Sequence, residues 1–212
     1  MIRSPGKGRQ AEAARNDEKV LQAAREVFAT QGWDAPVSAV AQRAGVGMGS
    51  LYRRYGSKTD LLQYLCILSM QQNIDAARTA LALEDAWDGL VGYIQECVAF
   101  GAGAFAPLAG TIEVTDDMIA TAKKANRLLA RIVARAHQSG RLRADVSATD
   151  VWCLIEQFGR RSAVPGAPED ANAHRRLVAI ALDGLGTGPA QPLPGSPPGP
   201  HVNAQRWARR PG

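Results

Sequence analysis

The stretch Val37-Ser38-Ala39-Val40-Ala41-Gln42-Arg43-Ala44-Gly45-Val46-Gly47-Met48-Gly49-Ser50-Leu51-Tyr52-Arg53-Arg54-Tyr55 decides the fold. Val37, Val40, Ala41 and Ala44 recur at helical spacing and predict one buried stripe. Pro36 suits the first position of that helix, where its missing N–H costs nothing. Gly45-Val46-Gly47 breaks the helix, and a second short one follows from Met48 to Tyr55. Leu51 and Tyr55, at i and i+4, point inward. The outward set is then Met48, Gly49, Ser50, Tyr52, Arg53 and Arg54. Two short helices around a glycine turn make a helix-turn-helix, whose second helix can enter the major groove of DNA. Small residues at its start let the helix approach base edges, and the hydroxyls and guanidiniums that follow are base and phosphate ligands. Lys58 sits at the start of the next helix, where the positive dipole end adds to its own charge.

Working outward, the rest of the chain reads as helix after helix. Residues 1–12 look like a flexible basic arm carrying Arg3, Lys7 and Arg9. A helix over 13–31 carries Val20, Ala24, Val27 and Phe28 on one face, and Gly32 closes it. Ser57 with Asp60 is an N-terminal capping pair for a helix over 58–77. Leu90, Ile94, Cys97 and Val98 mark a helix over 86–102, and a short proline-bearing segment, 105–111, follows. The helix expected over 115–139 has Asp116 and Asp117 at its positive end and Arg131 and Arg135 toward the other, as the macrodipole favours. A final pair, 149–161 and 172–185, is joined by Pro165-Gly166-Ala167-Pro168. Glycine and proline dominate 187–212, which reads as a disordered tail. The expected fold is all-α: a DNA-binding domain at 13–57, then a ligand-binding and dimerisation domain at 58–186.

Composition narrows the function. The chain has 212 residues, 46% hydrophobic and 21% charged, which suits an ordinary folded protein. It has no apolar run long enough to span a membrane and no apolar stretch near the start of the kind a secretory signal needs, so the expected location is the cytoplasm. The net charge is +5, but residues 1–60 hold 10 Lys/Arg against 6 Asp/Glu, so the basic excess lies at the end where DNA is expected. Cys66, Cys97 and Cys153 are far apart, fall inside apolar helical patterns and read as buried thiols. With only His137, His174 and His201, no Ser-His-Asp or Cys-His arrangement emerges, and neither does a phosphate loop or a metal spacing. No cofactor and no metal are expected, and an enzyme is the weaker alternative.

The residues from Ala41 to Leu62, Ala41-Gln42-Arg43-Ala44-Gly45-Val46-Gly47-Met48-Gly49-Ser50-Leu51-Tyr52-Arg53-Arg54-Tyr55-Gly56-Ser57-Lys58-Thr59-Asp60-Leu61-Leu62, resemble the DNA-binding signature of the tetracycline-repressor (TetR) family. Gly140-Arg141-Leu142-Arg143-Ala144-Asp145-Val146 and the run from Leu177 to Leu185 are similar to that family's C-terminal half. The resemblance implies a homodimeric transcriptional regulator, repressor or activator, that binds palindromic operator DNA and leaves it when a small lipophilic molecule binds. Carried over by position, Met48, Gly49 and Ser50 face bases, while Tyr52, Arg54 and Lys58 hold phosphates. Ser38, Arg53 and Tyr55 complete the expected DNA-facing set. Ser50, Arg54 and Gly56 depart from the commoner threonine, histidine and proline. The resemblance places an inducer pocket between the fourth and seventh helices, for which the candidates are Tyr64, Leu68, Trp87, Phe100, Phe105, Met118 and Ile119; plain core is the alternative. Val151, Trp152, Ile155 and Phe158, with Leu177, Ile180 and Ala181, form stripes that an isologous four-helix dimer interface would explain, and intramolecular packing would also explain them. A ligand-independent DNA-binding protein is the second alternative.

Overall fold

The computed structural model describes residues 5–32, 34–162, 168–188 and 191–199. Among the described residues eight α-helices follow one another: α1 (Pro5–Gln31), α2 (Val37–Ala44), α3 (Met48–Tyr55), α4 (Lys58–Ala82), α5 (Ala86–Ala99), α6 (Asp116–Gln138), α7 (Ala148–Ser162) and α8 (Pro168–Leu185). A short 3-10 turn, Ala106–Leu108, lies between α5 and α6. Among the described residues no strand forms, and the one β-bridge joins Leu142 to Gly186. The all-α expectation holds.

The element boundaries moved where local signals were weak. Helix α1 begins at Pro5, so most of the expected flexible arm is helical. Pro36 is the N-cap of α2, in extended backbone, rather than its first helical residue. Helix α4 continues through its alanine-rich end to Ala82, since no breaker stands before Leu83. Helix α5 stops at Ala99, ahead of a left-handed glycine at 101. Side chains cap α4, α5 and α6: Ser57 Oγ accepts from Asp60 N–H, Asp85 from Trp87 and Asp88 N–H, and Thr115 from Met118 N–H.

Two apolar clusters form the core. The first joins Val20, Leu21, Ala24 and Phe28 of α1, Val40 of α2 and Leu51 of α3 to Leu61 and Leu65 of α4. Phe105, Leu108 and Ile112 from the α5–α6 connection, and Met118 of α6, pack into the same cluster. The second holds Ala76, Ala77 and Ala80 of α4 against Leu90 and Ile94 of α5, Ile132 of α6, Val151 and Ile155 of α7, and Val178 and Leu182 of α8. Helix α4 therefore belongs to both cores, and at 25 residues it is about 37 Å long. Helix α7 lies so close to the end of α5 that a Cβ on Gly159 would stand 2.0 Å from the Ala102 carbonyl oxygen.

The tail does not leave the fold at 187. Thr187 N–H donates to the Arg141 carbonyl at 2.9 Å, Arg143 Nη2 donates to the Gln191 carbonyl at 2.7 Å, and Leu193 N–H donates to Asp145 Oδ2 at 3.0 Å. The Arg143 guanidinium and that N–H hold the Asp145 carboxyl down at about 2. Thr187, Gln191 and Leu193 are thus bonded to the 140–146 loop. The expectations for residues 1–4, 163–167 and 200–212 lie outside the described residues.

Candidate nucleic-acid interface

The turn between α2 and α3 is built by its backbone. Gly45, at φ 68°, takes the left-handed conformation, and its N–H donates to the Gln42 carbonyl while Val46 N–H donates to that of Ala41. This double closure ends α2 without a side-chain cap and re-aims the chain into α3. Helix α3 is eight residues long with Leu51 and Tyr55 buried against the first core. That burial fixes which face turns outward. Ser38, Gly49, Ser50, Tyr52, Arg53 and Arg54 are exposed, Tyr52 at 46%, and Met48 is half-buried at the edge of the core. Lys58, at the first turn of α4, reaches back so that its Nζ donates to the Ala35 carbonyl at 3.1 Å. It thereby stands beside the start of α2. The exposed set and Lys58 together make one polar, cationic face from three helices.

Two expected DNA-facing residues stand differently. Tyr55 is 8% exposed, its ring centroid lies 5.1 Å from that of Tyr64, and its hydroxyl donates to Asp17 Oδ1 at 2.7 Å. It belongs to the core and not to the surface, because i+4 from Leu51 keeps it on the inward face. Arg54 is exposed, but its Nη2 donates to Asp17 Oδ2 at 2.5 Å. Burial and the hydrogen bond to Asp17 push the phenols of Tyr55 and Tyr64 above the usual range.

The expected pocket residues divide between the two cores. Phe105 and Met118 are buried in the first core, with Leu68 packed on it. Tyr64 packs on the same core and donates its hydroxyl to Asp17 Oδ2 at 2.8 Å. Trp87 lies at the far end of the second core, its ring centroid 5.5 Å from the Arg141 guanidinium. Phe100 stands between, 5.4 Å from the guanidinium of Arg25, and Ile119 is 41% exposed. Helical spacing marked each as apolar and inward, but which core each enters depends on where its helix crosses α4. The dimer candidates divide as well. Val151 and Ile155 are fully buried in the second core, which removes them from any surface, whereas Leu177 and Ile180 are 51% and 62% exposed. Trp152, Phe158 and Ala181 are half-buried.

Two residues went unremarked in the sequence, Asp17 and Arg25. Both lie on the α1 stripe that carries Val20, Leu21, Ala24 and Phe28, so helical spacing places two charges on the inward face. Arg25 is 1% exposed; its Nη2 donates to Ser69 Oγ at 3.0 Å and to Gln72 Oε1 at 2.7 Å. Burial lowers its guanidinium to about 10. These bonds tie α1 to the middle of α4. Burial pushes Cys66 and Cys97 up to about 12, which leaves their thiols protonated and inert. Among the described residues no group of His, Cys, Asp or Glu could hold a metal ion, and no helix is long and apolar enough to cross a membrane.

Residues 20–65 match the family pattern described as bacterial regulatory proteins, tetR family, and residues 85–187 match that of the SbtR-like transcriptional regulator C-terminal domain. The chain belongs to the TetR family. The first match runs from α1 to the start of α4, the second over α5 to α8. Among relatives, the helix-turn-helix-type transcriptional regulator TtgW of Pseudomonas putida is 34% identical over 83 residues, which is 38% of this chain and 61% of that protein. The chain thus matches less than two thirds of that relative's length. A TetR regulatory protein from Mycobacterium vanbaalenii superposes with a TM-score of 0.58 at 27% identity, covering 84% of this chain and 99% of that one. A TetR regulator from Streptomyces coelicolor does so at 0.58 and 24%, covering 80% and 98%, and shares the fold.

Proposed function

We propose that this TetR-family protein is a sequence-specific transcriptional regulator, acting in the cytoplasm, that binds a palindromic operator as a homodimer and releases it when a small lipophilic ligand binds. The single observation that carries the DNA-binding half is the division of α3. Leu51 and Tyr55 anchor it, and Gly49, Ser50, Tyr52 and Arg53 are left outward with Ser38 and Lys58 alongside. In this reading Met48, Gly49 and Ser50 meet base edges, and Tyr52 and Lys58 hold phosphates. Leu177 and Ile180, with Trp152, Phe158 and Ala181 beside them, form the dimer contact. Large apolar side chains left exposed on a terminal helix are what such a contact uses. The dimer sets the two reading heads to a spacing of about 34–36 Å, one turn of DNA.

The regulatory half rests on α4. The same helix enters both cores, so a ligand that wedges the second core apart tilts the beam that carries the first. Repression and release follow if the spacing of the heads changes by a few ångströms. Fluorescence anisotropy of labelled DNA from upstream of the protein's own gene tests the whole reading. Saturable binding that weakens with salt and is reversed by one member of a panel of lipophilic compounds is the expected result. Binding that no compound reverses would leave a ligand-independent DNA-binding protein. Absence of binding at low salt would remove the DNA-binding role.

A further inference from the structure

Asp17 of α1 is a buried carboxylate, its side chain 8% exposed, on which two other helices converge. From α3, Tyr55 donates its hydroxyl to Oδ1 at 2.7 Å and Arg54 donates Nη2 to Oδ2 at 2.5 Å. From α4, Tyr64 donates its hydroxyl to Oδ2 at 2.8 Å. The Arg54 guanidinium also lies 5.6 Å from the centroid of the Tyr55 ring. Arg54 is therefore held twice, by the carboxylate and by the ring beneath it.

We propose that Asp17 is a specificity-determining residue of the reading head, because it neutralises Arg54 within the protein and withholds that cation from the phosphate backbone. Handing Arg54 to a phosphate would leave the Asp17 carboxylate buried with two phenols and no cation, and an uncompensated buried charge is costly. The phenols cannot replace the charge, since both stay protonated. Phosphate contacts add affinity without sequence information, whereas contacts at base edges carry it. A recognition helix whose Arg54 is neutralised from inside leans more on Met48, Gly49 and Ser50 for its binding, and so discriminates better than its count of arginines implies. The network also clamps α3 to α4, so the register of the reading face is fixed by the helix that joins the two cores.

The inference rests on the DNA-binding reading above, and one titration separates their failures. Affinity of the full chain for the upstream DNA and for a random-sequence duplex is measured over a salt series, for the wild type, Asp17→Asn and Arg54→Gln. Asp17→Asn should free Arg54, tighten random-duplex binding and reduce the preference for the upstream DNA. Its slope of log K against log salt should steepen by about 0.9 per reading head, one further phosphate each. Arg54→Gln should leave the slope of the wild type in place. A slope that flattens by about 0.9 per head in Arg54→Gln would show Arg54 on a phosphate and overturn the inference. So would a folded Asp17→Asn with an unaltered slope. If Asp17→Asn does not fold, by circular dichroism, Arg54→Gln decides alone. A wild type that binds neither duplex would overturn the DNA-binding reading and this inference with it.

Discussion

Lys58 and Ser50 sit on neighbouring helices of the same face and should answer differently to substitution. Lys58→Ala removes a cation proposed to neutralise one phosphate per subunit, so the salt slope of a dimer should shrink by about 2, equally for all sequences. Ser50→Ala should instead cost the cognate duplex more than a random one and leave the slope alone. Anisotropy on both duplexes checks the pair, and a uniform loss in Ser50→Ala would remove Ser50 from the base-facing set. The tyrosines give a pH test. An acid whose folded value is raised keeps its proton where the unfolded chain releases it, so its contribution to stability is present below about pH 10 and is lost as pH rises above that. Burial raises Tyr55, Tyr64 and Tyr93 in this way. Ultraviolet titration should show these phenols ionising late and together with alkaline unfolding. Early, reversible ionisation of three phenols would contradict their burial. Tyr55 was half legible in the sequence: i+4 from Leu51 marked it inward, although it also stood in the expected DNA-facing set.

At the scale of the element, α3 depends on Leu51 and α7 depends on a missing side chain. Leu51→Ala should cost about 2–5 kcal/mol of stability, read from urea unfolding, since it empties the only fully apolar anchor of an eight-residue helix. DNA affinity should fall with it, because a short helix held by few contacts loses its orientation. Gly159→Ala should be as damaging for a different reason, as its Cβ would collide with backbone at Ala102, which cannot rotate away. An unfolding midpoint equal to that of the wild type would mean that the two segments are not so close. The pattern of α8 shows where reading by period falters. Leu177, Val178, Ile180, Ala181, Leu182 and Leu185 form an apolar arc wider than one buried face. The second core takes Val178, Leu182 and Leu185 and leaves Leu177 and Ile180 outside.

At the scale of the molecule, those two exposed side chains carry the proposed dimer contact. Leu177→Asp with Ile180→Asp should give a monomer by sedimentation velocity, with stability changed by only about 0.5 kcal/mol per site, as for other surface positions. Operator binding should be lost with the dimer, because one head alone holds a half-site weakly. Dimers that persist would place the interface elsewhere. The sequence by itself determined the all-helical class, the helix-turn-helix with its outward residues, and the family. These rest on local rules: helical spacing, glycine breaks and capping pairs act over a few residues and are written in the order of the chain. It did not determine which buried residues share a core, that Asp17 gathers Arg54, Tyr55 and Tyr64, or which side of α8 stays open. Those depend on how helices far apart in the chain cross one another. Spacing along a helix says only that a side chain faces inward, and the packing of α4 against its neighbours decides what it meets there.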